Sequence, residues 1–391
     1  MKKAGFFLLT LVLCFPMQAQ RKFDVSFSFD GKMRELILSV PTTPPPSDGY
    51  PVVMMMHGTS GDKNVFYNAK GWSELGEAEN FITIFPSSLR WCYDDEGVIV
   101  RNTKFVNGDL LDKICPSDTM DLISDVRFFR RIFELLQDTL PINMDKVFCS
   151  GFSNGSVMSF KNAMEAGDLF KAAASTGAGL HPLDSTHPQD RIPTWMMIGT
   201  LDDRFIVQPF TEIPFGDDSS IYYFNKIINR TLACQGLVPH FIKDSTPLTK
   251  TFLFNTCLPG EICKPFLFTI IKGLHHQYPN GINHPVDAPR IFWQFFNNPP
   301  NVIIASTDDP RQDDLVVSCF PNPASDQIHI AIGNFEEKAE VSLYNNLGVR
   351  ILQKTFLQDQ FDLQKSETGA GIFHVQIQSG GRISTKRICF K

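Results

Sequence analysis

Ser153, Asp202 and His276 are the side chains whose types and order could do nucleophilic chemistry. Ser153 sits in Gly151-Phe152-Ser153-Asn154-Gly155, the only G-x-S-x-G of the chain. An apolar run (Val147, Phe148, Cys149) leads in and a small-residue segment able to form a helix leads out. Strand, sharp turn and helix is the context of a nucleophile elbow. Such a turn holds the serine in a strained conformation above the sheet, and a Cβ at either flanking glycine would strike a neighbouring strand or helix. A serine attacking an acyl carbon needs a base, a carboxylate that orients the base, and donors for the developing oxyanion. Asp202 closes a G-T-x-D turn behind the apolar run 195–198, and His276 follows the apolar run 266–271. His57-Gly58-Thr59 ends another apolar run, 52–56. Carboxyl ends of parallel strands share one sheet edge, so all these groups can converge there. The backbone N–H groups of Thr59 and Asn154 are then the expected oxyanion donors, with the positive end of the helix after Ser153 behind them. Asp203 and His275 stand beside the chosen acid and base as open alternatives.

The elements that must position these groups follow from hydrophobic patterning. Residues 23–29 alternate and 36–40 are apolar around Asp30-Gly31, which predicts an antiparallel edge hairpin. Beyond the proline-rich segment 41–50, buried strands and helices alternate: strands at 52–56, 81–85, 147–149, 172–175, 195–198, 252–254 and 266–271, helices at 72–79, 120–140 and 290–296. Alternation of this kind implies a mostly parallel sheet with helices on both faces. Residues 86–119 read as a long irregular loop carrying Trp91, Cys92 and Cys115, and loops of that length in compact domains are usually functional. Trp91 and Tyr278 are candidate substrate-stacking residues, Trp91 being equally suited to loop packing. Residues 298–315 read as a polar, proline-bearing linker, and 316–391 as a small all-β sandwich of short alternating segments.

The first 19 residues have a charged start (Lys2, Lys3), an apolar centre and a small-residue cleavage site ending at Ala19, the pattern of a signal peptide. Cys14 raises the question of a lipoprotein, but Leu13 before it is larger than such signals normally allow. No later segment is expected to span a membrane. Net charge is −6, becoming −8 when the two leader lysines leave, and no basic run is present, so nucleic acid is not an expected partner. No C-x-x-C occurs, and neither a metal nor another cofactor is expected. Eight cysteines remain after the leader; Cys149, in the strand before the elbow, reads as a buried free thiol.

Residues 50–297 resemble the secreted esterase family that joins polyhydroxybutyrate depolymerases with feruloyl and acetyl-xylan esterases. The pieces that carry the resemblance are MMMHGT, the helix start Asp125-Val126-x-Phe128, VFCSGFSNG, IGTLDD and Gly273-x-x-His276-x-Tyr278-Pro279. It implies an α/β-hydrolase fold over 20–297, a Ser153–His276–Asp202 triad and a carboxylic ester substrate. It also implies disulfides Cys92–Cys115 and Cys234–Cys257. Ser156 stands where the family often has a second glycine, Thr59 where depolymerases often have cysteine, and Tyr278 where the family has tryptophan. The tail resembles the C-terminal sorting domain of type IX secretion through Cys319-Phe320-Pro321-Asn322-Pro323-Ala324, VSLYNNLGVRI, GAGIFHVQI and TKRICFK. That resemblance implies export across an outer membrane, with the secretion machinery as partner of 316–391 and a secreted or cell-surface location. Cys319 and Cys389, near the two ends of the sandwich, are a further candidate pair. The expected activity is hydrolysis of acetyl or feruloyl esters of plant polysaccharides, with a polyester depolymerase as the alternative. A peptidase or lipase on the same fold and a non-catalytic secreted binding protein complete the set.

Overall fold

The computed structural model describes residues 21–185, 187–188, 190–216, 218–303, 315–333, 335–345, 349–380 and 382–391. The signal-peptide segment, most of the linker and residues 346–348 lie outside the described residues. Two compact units divide the chain at residues 304/305.

The larger unit opens with β1 (Arg21–Phe29) and β2 (Lys32–Val40), the antiparallel hairpin expected around Asp30-Gly31. β3 (Tyr50–Met56), α1 (Lys63–Asn68), α2 (Trp72–Glu79) and β4 (Ile82–Pro86) follow. β5 (Arg90–Asp95), β6 (Val98–Thr103) and α3 (Gly108–Leu111) occupy the segment expected to be irregular. Then come α4 (Asp125–Gln137), β7 (Ile142–Phe152), α5 (Asn154–Glu165), β8 (Ala172–Thr176) and β9 (Thr194–Gly199). α6 (Ser219–Tyr223), α7 (Asn225–Gln235), β10 (Ile242–Ser245), β11 (Thr249–Phe254), β12 (Phe266–Ile271) and α8 (Ala288–Asn297) complete the unit.

One ten-stranded sheet runs β1-β2-β4-β3-β7-β8-β9-β12-β11-β10. The six strands from β4 to β12 pair in parallel, and antiparallel strands flank them at both edges. This strand order, with helices on both faces, is the α/β-hydrolase fold. The period-2 geometry of a strand sends alternate side chains to opposite faces. Val52, Met54 and Met56 of β3 accordingly join the core under α4, α5 and α7, while Val53 and Met55 join the core under α2 and α8. Each such side chain contributes about 1.5–3 kcal/mol of burial free energy, so a one-residue slip of β3 would forfeit both cores.

α4 starts at Asp125, the helix start on which the resemblance rests, five residues later than the 120–140 span that periodicity predicts. Ser124 caps it by accepting from Arg127 N–H, and Asp125 in the first turn meets the positive end of the helix dipole. Asp125 Oδ1 also accepts from the buried Arg34 of β2 at 2.5 Å, whose guanidinium lies 3.7 Å from the centre of the Phe128 ring. This pair ties the edge hairpin to the helix. Residues 302–303, expected in the linker, still belong to this unit, because Ile303 pairs with Thr256 and exchanges backbone hydrogen bonds around Cys257.

The smaller unit contains β13 (Val316–Phe320), β14 (Gln327–Gly333), β15 (Ala339–Asn345), β16 (Arg350–Phe356), β17 (Gln360–Gln364), α9 (Lys365–Thr368), β18 (Gly371–Ser379) and β19 (Arg382–Phe390). Two antiparallel sheets, β13-β14-β17 and β16-β15-β18-β19, enclose one core that includes Ile328, Ile330, Val341, Leu343, Leu363 and Val375. It is a β-sandwich.

Candidate active site

Ser153 stands between β7 and α5 at φ 53°, ψ −118°, a left-handed position that a non-glycine residue rarely takes. Its N–H is anchored on Thr176 O at 3.0 Å, and its carbonyl accepts from Ser156 and Val157 of the first helical turn. The two flanking glycines are required by close backbone approach. A Cβ on Gly151 would run into the carbonyl of Gly155, and a Cβ on Gly155 would run into those of Met56 and His57. Backbone cannot give way as a side chain can. Gly155→Ala is therefore expected to lower the melting temperature by several degrees and turnover by more than tenfold; circular dichroism and ester hydrolysis would check both, and an unaffected variant would contradict this packing.

His276 Nε2 lies 2.9 Å from Ser153 Oγ, and His276 Nδ1 lies 2.9 and 3.0 Å from the two carboxylate oxygens of Asp202. With Nδ1–H donating to Asp202, Nε2 is left free to accept from the serine hydroxyl. Asp202 is buried, whereas the alternative acid Asp203 is exposed; His276 is half-buried, whereas His275 is exposed. The loops carrying Asp202 and His276 are sewn together. Thr200 N–H donates to Ile271 O, Leu201 N–H to Leu274 O, and Gly273 N–H to Thr200 Oγ1. Arg204 N–H donates to Asp202 Oδ1 at 3.2 Å. Phe152 packs against the imidazole at 4.8 Å between ring centres, which restrains its swing.

The loop after β3 reaches Ser153, since a Cβ on Gly58 would lie 3.2 Å from Ser153 Cβ. Thr59 is the next residue of that loop, and Asn154 is the first of α5. The first N–H groups of a helix have no intrahelical partner and can face a ligand. His57 is buried and serves the loop. Its Nδ1–H donates to Gly58 O, its Nε2 accepts from Ser88 N–H, and burial pushes its pKa down, so it stays neutral at neutral pH.

The segment expected to be loop holds a two-stranded hairpin instead. Sheet pairing of β5 with β6 and the Cys92–Cys115 disulfide supply order that composition does not reveal. The base of β6 grips the loop after β3: Ser60 N–H donates to Thr103 O, Asn102 Nδ2 to Ser60 Oγ, and Thr103 Oγ1 to Gly61 O. The tip residue Glu96 pairs with Arg204, two positions beyond Asp202. One hairpin thus touches both loops that flank the nucleophile.

Of the two expected stacking residues, Trp91 is placed otherwise, whereas Tyr278 is largely buried but lines the cleft beside His276. Trp91 is 3 % exposed and packs with Tyr93, Val106 and Leu110 in a small core under the hairpin, which leaves no ring face for a substrate. Tyr278 is buried, takes a hydrogen bond from Trp72 Nε1 at 2.8 Å, and packs edge-on against Phe66 and Phe152. Its burial raises its hydroxyl pKa, so it remains protonated. A cleft of about 300 Å³ opens beside His276, lined by Phe66, Trp72, Phe152, Gln277, Tyr278 and Asn280 among others. Residues that sequence reading missed surround Asn154, above all Asn107 and Asp109, hidden in an N-G-D stretch that reads as a turn.

Of the three expected disulfides, Cys92–Cys115 is present. Cys257 pairs with Cys263 rather than Cys234, which remains a buried thiol near the end of α7. Cys319 and Cys389, expected to pair, are both free thiols. Cys149 is a buried thiol whose pKa burial raises, as expected.

Residues 318–391 match the family model of the secretion system C-terminal sorting domain. The chain carries a sorting domain at its C-terminus. That domain indicates export to the cell surface or exterior. No curated protein matches the chain. Among solved structures, it is similar to acetyl xylan esterase from Aspergillus awamori, with 14 % identity and TM-score 0.45 over 68 % of this chain and 94 % of that one. It is also similar to the ferulic acid esterase of Anaeromyces mucronatus in complex with ferulic acid (13 % identity, TM-score 0.41, 72 % and 92 % covered). A third is the feruloyl esterase module of Clostridium thermocellum (12 %, TM-score 0.37, 66 % and 83 %). Among the described residues of the sorting-domain chain, no helix is long and apolar enough to cross a membrane.

Proposed function

We propose that the protein is an exported serine esterase that hydrolyses carboxylic esters through an acyl-enzyme on Ser153. The observation that carries this reading is the unbroken line Ser153 Oγ, His276 Nε2, His276 Nδ1, Asp202 carboxylate, with both contacts near 2.9 Å. Ser153 Oγ attacks the ester carbonyl as its proton passes to Nε2, and Asp202 stabilises the imidazolium that forms. The N–H groups of Thr59 and Asn154 receive the oxyanion. Nε2–H then protonates the departing alcohol. Water enters, His276 takes its proton, and the tetrahedral intermediate collapses to release the acid and restore Ser153.

For the substrate we favour acetyl or aromatic acyl esters borne on polysaccharides. The similar solved structures bear such names, and the cleft beside His276 combines aromatic rings with amide groups suited to a ring with polar edges. The sorting domain would deliver the enzyme through the type IX machinery, its expected protein partner, to where such polymers are met. The reading is tested by hydrolysis of p-nitrophenyl acetate and butyrate, methyl ferulate, acetylated xylan and polyhydroxybutyrate by the wild type and by Ser153→Ala. Ser153-dependent release of acetate or ferulate supports it; turnover of polyhydroxybutyrate alone would move the substrate to polyesters, and no Ser153-dependent turnover at all would end it.

A further inference from the structure

Asn154 directly follows the nucleophile, and only its backbone N–H has a part in the reaction proposed above. Its side chain is nevertheless buried and fully engaged. Oδ1 accepts from Phe105 N–H at 2.7 Å, and Nδ2 donates to Asn107 Oδ1 and to Asp109 Oδ2, each at 3.1 Å. The carbonyl of Asn154 accepts from Asn107 Nδ2 at 2.9 Å. Asn107 therefore grips both the side chain and the main chain of the same residue. We propose that Asn107 and Asp109 are positioning residues that fix the tilt of Asn154 and so aim its N–H at the developing oxyanion.

The grip is itself rigid. Asn107 is wholly buried. The backbone around it is tied down by Lys104 N–H to Leu89 O, Val106 N–H to Asp125 Oδ2, and Gly108 N–H to Asp184 Oδ1. Gly108 has no room for a side chain because the His181 ring occupies that space. A carboxylate so near the oxyanion would oppose the negative charge that develops there, and this charge is compensated. Lys104, 3 % exposed, places its ammonium 3.0 Å from Asp109 Oδ2 and 4.6 Å from the centre of the Tyr93 ring. Burial alone would raise the Asp109 pKa, but Lys104, Asn154 and Lys113 together outweigh it and hold the carboxyl below its ordinary value. The ion pair thus supplies a strong acceptor for Asn154 with little net charge facing the reacting carbon.

The inference rests on the esterase reading, and its test separates the two. Asn107→Ala is compared with the wild type on p-nitrophenyl acetate, with active sites counted by fluorophosphonate labelling of Ser153. Affinity is measured for an alkyl boronic acid, whose boron takes the Ser153 oxygen to give a tetrahedral anion while His276 keeps the proton. Misaimed oxyanion donors cost on the order of 10- to 100-fold. The expected result is a fall of that size in kcat per labelled site, KM within about threefold, and a parallel loss of boronate affinity. A merely structural role would lower the number of labelled sites and leave kcat per site and boronate affinity unchanged, which would overturn the proposal. Should Asn107→Ala fail to fold, the double variant Lys104→Met with Asp109→Leu replaces the ion pair by apolar groups of similar volume, an exchange proteins often tolerate. It leaves Asn154 Nδ2 with one acceptor, and kcat and boronate affinity are expected to fall together by roughly tenfold; no change in either would equally overturn the proposal. Absence of Ser153-dependent turnover in the wild type would remove the esterase reading itself.

Discussion

Replacing Ser153 by alanine is expected to lower kcat by about 10⁴- to 10⁶-fold while leaving the melting temperature within a few degrees of the wild type. The large effect follows from the loss of the only atom in the site that can form the acyl-enzyme. In the proposed mechanism the N–H groups of Thr59 and Asn154 and the cleft remain to bind an ester and polarise its carbonyl, and that residual help would keep the rate above that of water. The small effect on stability follows from local geometry. Ser153 Oγ has His276 Nε2 as its partner, in a part-buried setting, so losing the hydroxyl strands no deeply buried donor. Alanine at φ 53° is no easier to accommodate than serine, so the strain of the elbow stays. Stopped assays with p-nitrophenyl acetate and a thermal melt measure both quantities; residual activity above about one per cent would place the nucleophile elsewhere.

Asp202→Asn is expected to cost about 10⁴-fold in kcat, and Asp203→Asn less than twofold. The asymmetry comes from position. Asp202 is buried and both its oxygens face His276 Nδ1, whereas Asp203 points to solvent one residue on. An amide in place of Asp202 can present its NH₂ to Nδ1, which favours the tautomer with the proton on Nε2 and removes the base that Ser153 requires. Parallel kinetics of the two variants decide the matter, and the reverse ranking would reassign the acid.

Much of this site could be read from the sequence because its parts sit at strand ends. The apolar runs at 52–56, 147–149, 195–198 and 266–271 each stop three to five residues before Thr59, Ser153, Asp202 or His276, and a parallel sheet gathers such ends on one edge. The hairpin of β5 and β6 was not legible: β5 is interrupted by Cys92, Asp94 and Asp95, and its pairing depends on a disulfide and on Asp118, whose carboxylate holds Cys92 N–H and Arg101. Trp91 and Tyr278 were assigned outward roles because an aromatic ring near a site says nothing of which way it faces. Burial closes Trp91 into the core under the hairpin, while Tyr278, buried for most of its surface, still lines the cleft. Asn107 and Asp109 were invisible for a different reason. Their partner, Asn154, lies 47 and 45 positions away, and no local periodicity marks a hydrogen bond of that span. The Cys234–Cys257 pairing failed because Cys263, only six positions from Cys257, was the nearer thiol in the fold.

The distribution of unpaired sulfur gives the molecule a built-in reporter. Among the described residues, the larger unit keeps its two free thiols, Cys149 and Cys234, out of reach of solvent, while the smaller unit offers two half-buried ones, Cys319 and Cys389. Burial pushes the Cys319 thiol up to about 11, which slows its reaction at neutral pH. A native chain freed of its leader is therefore expected to accept a maleimide, and one trimmed of residues 316–391 to accept none until it is unfolded. Mass spectrometry of the labelled protein would then record whether the passenger has parted from the domain that delivered it.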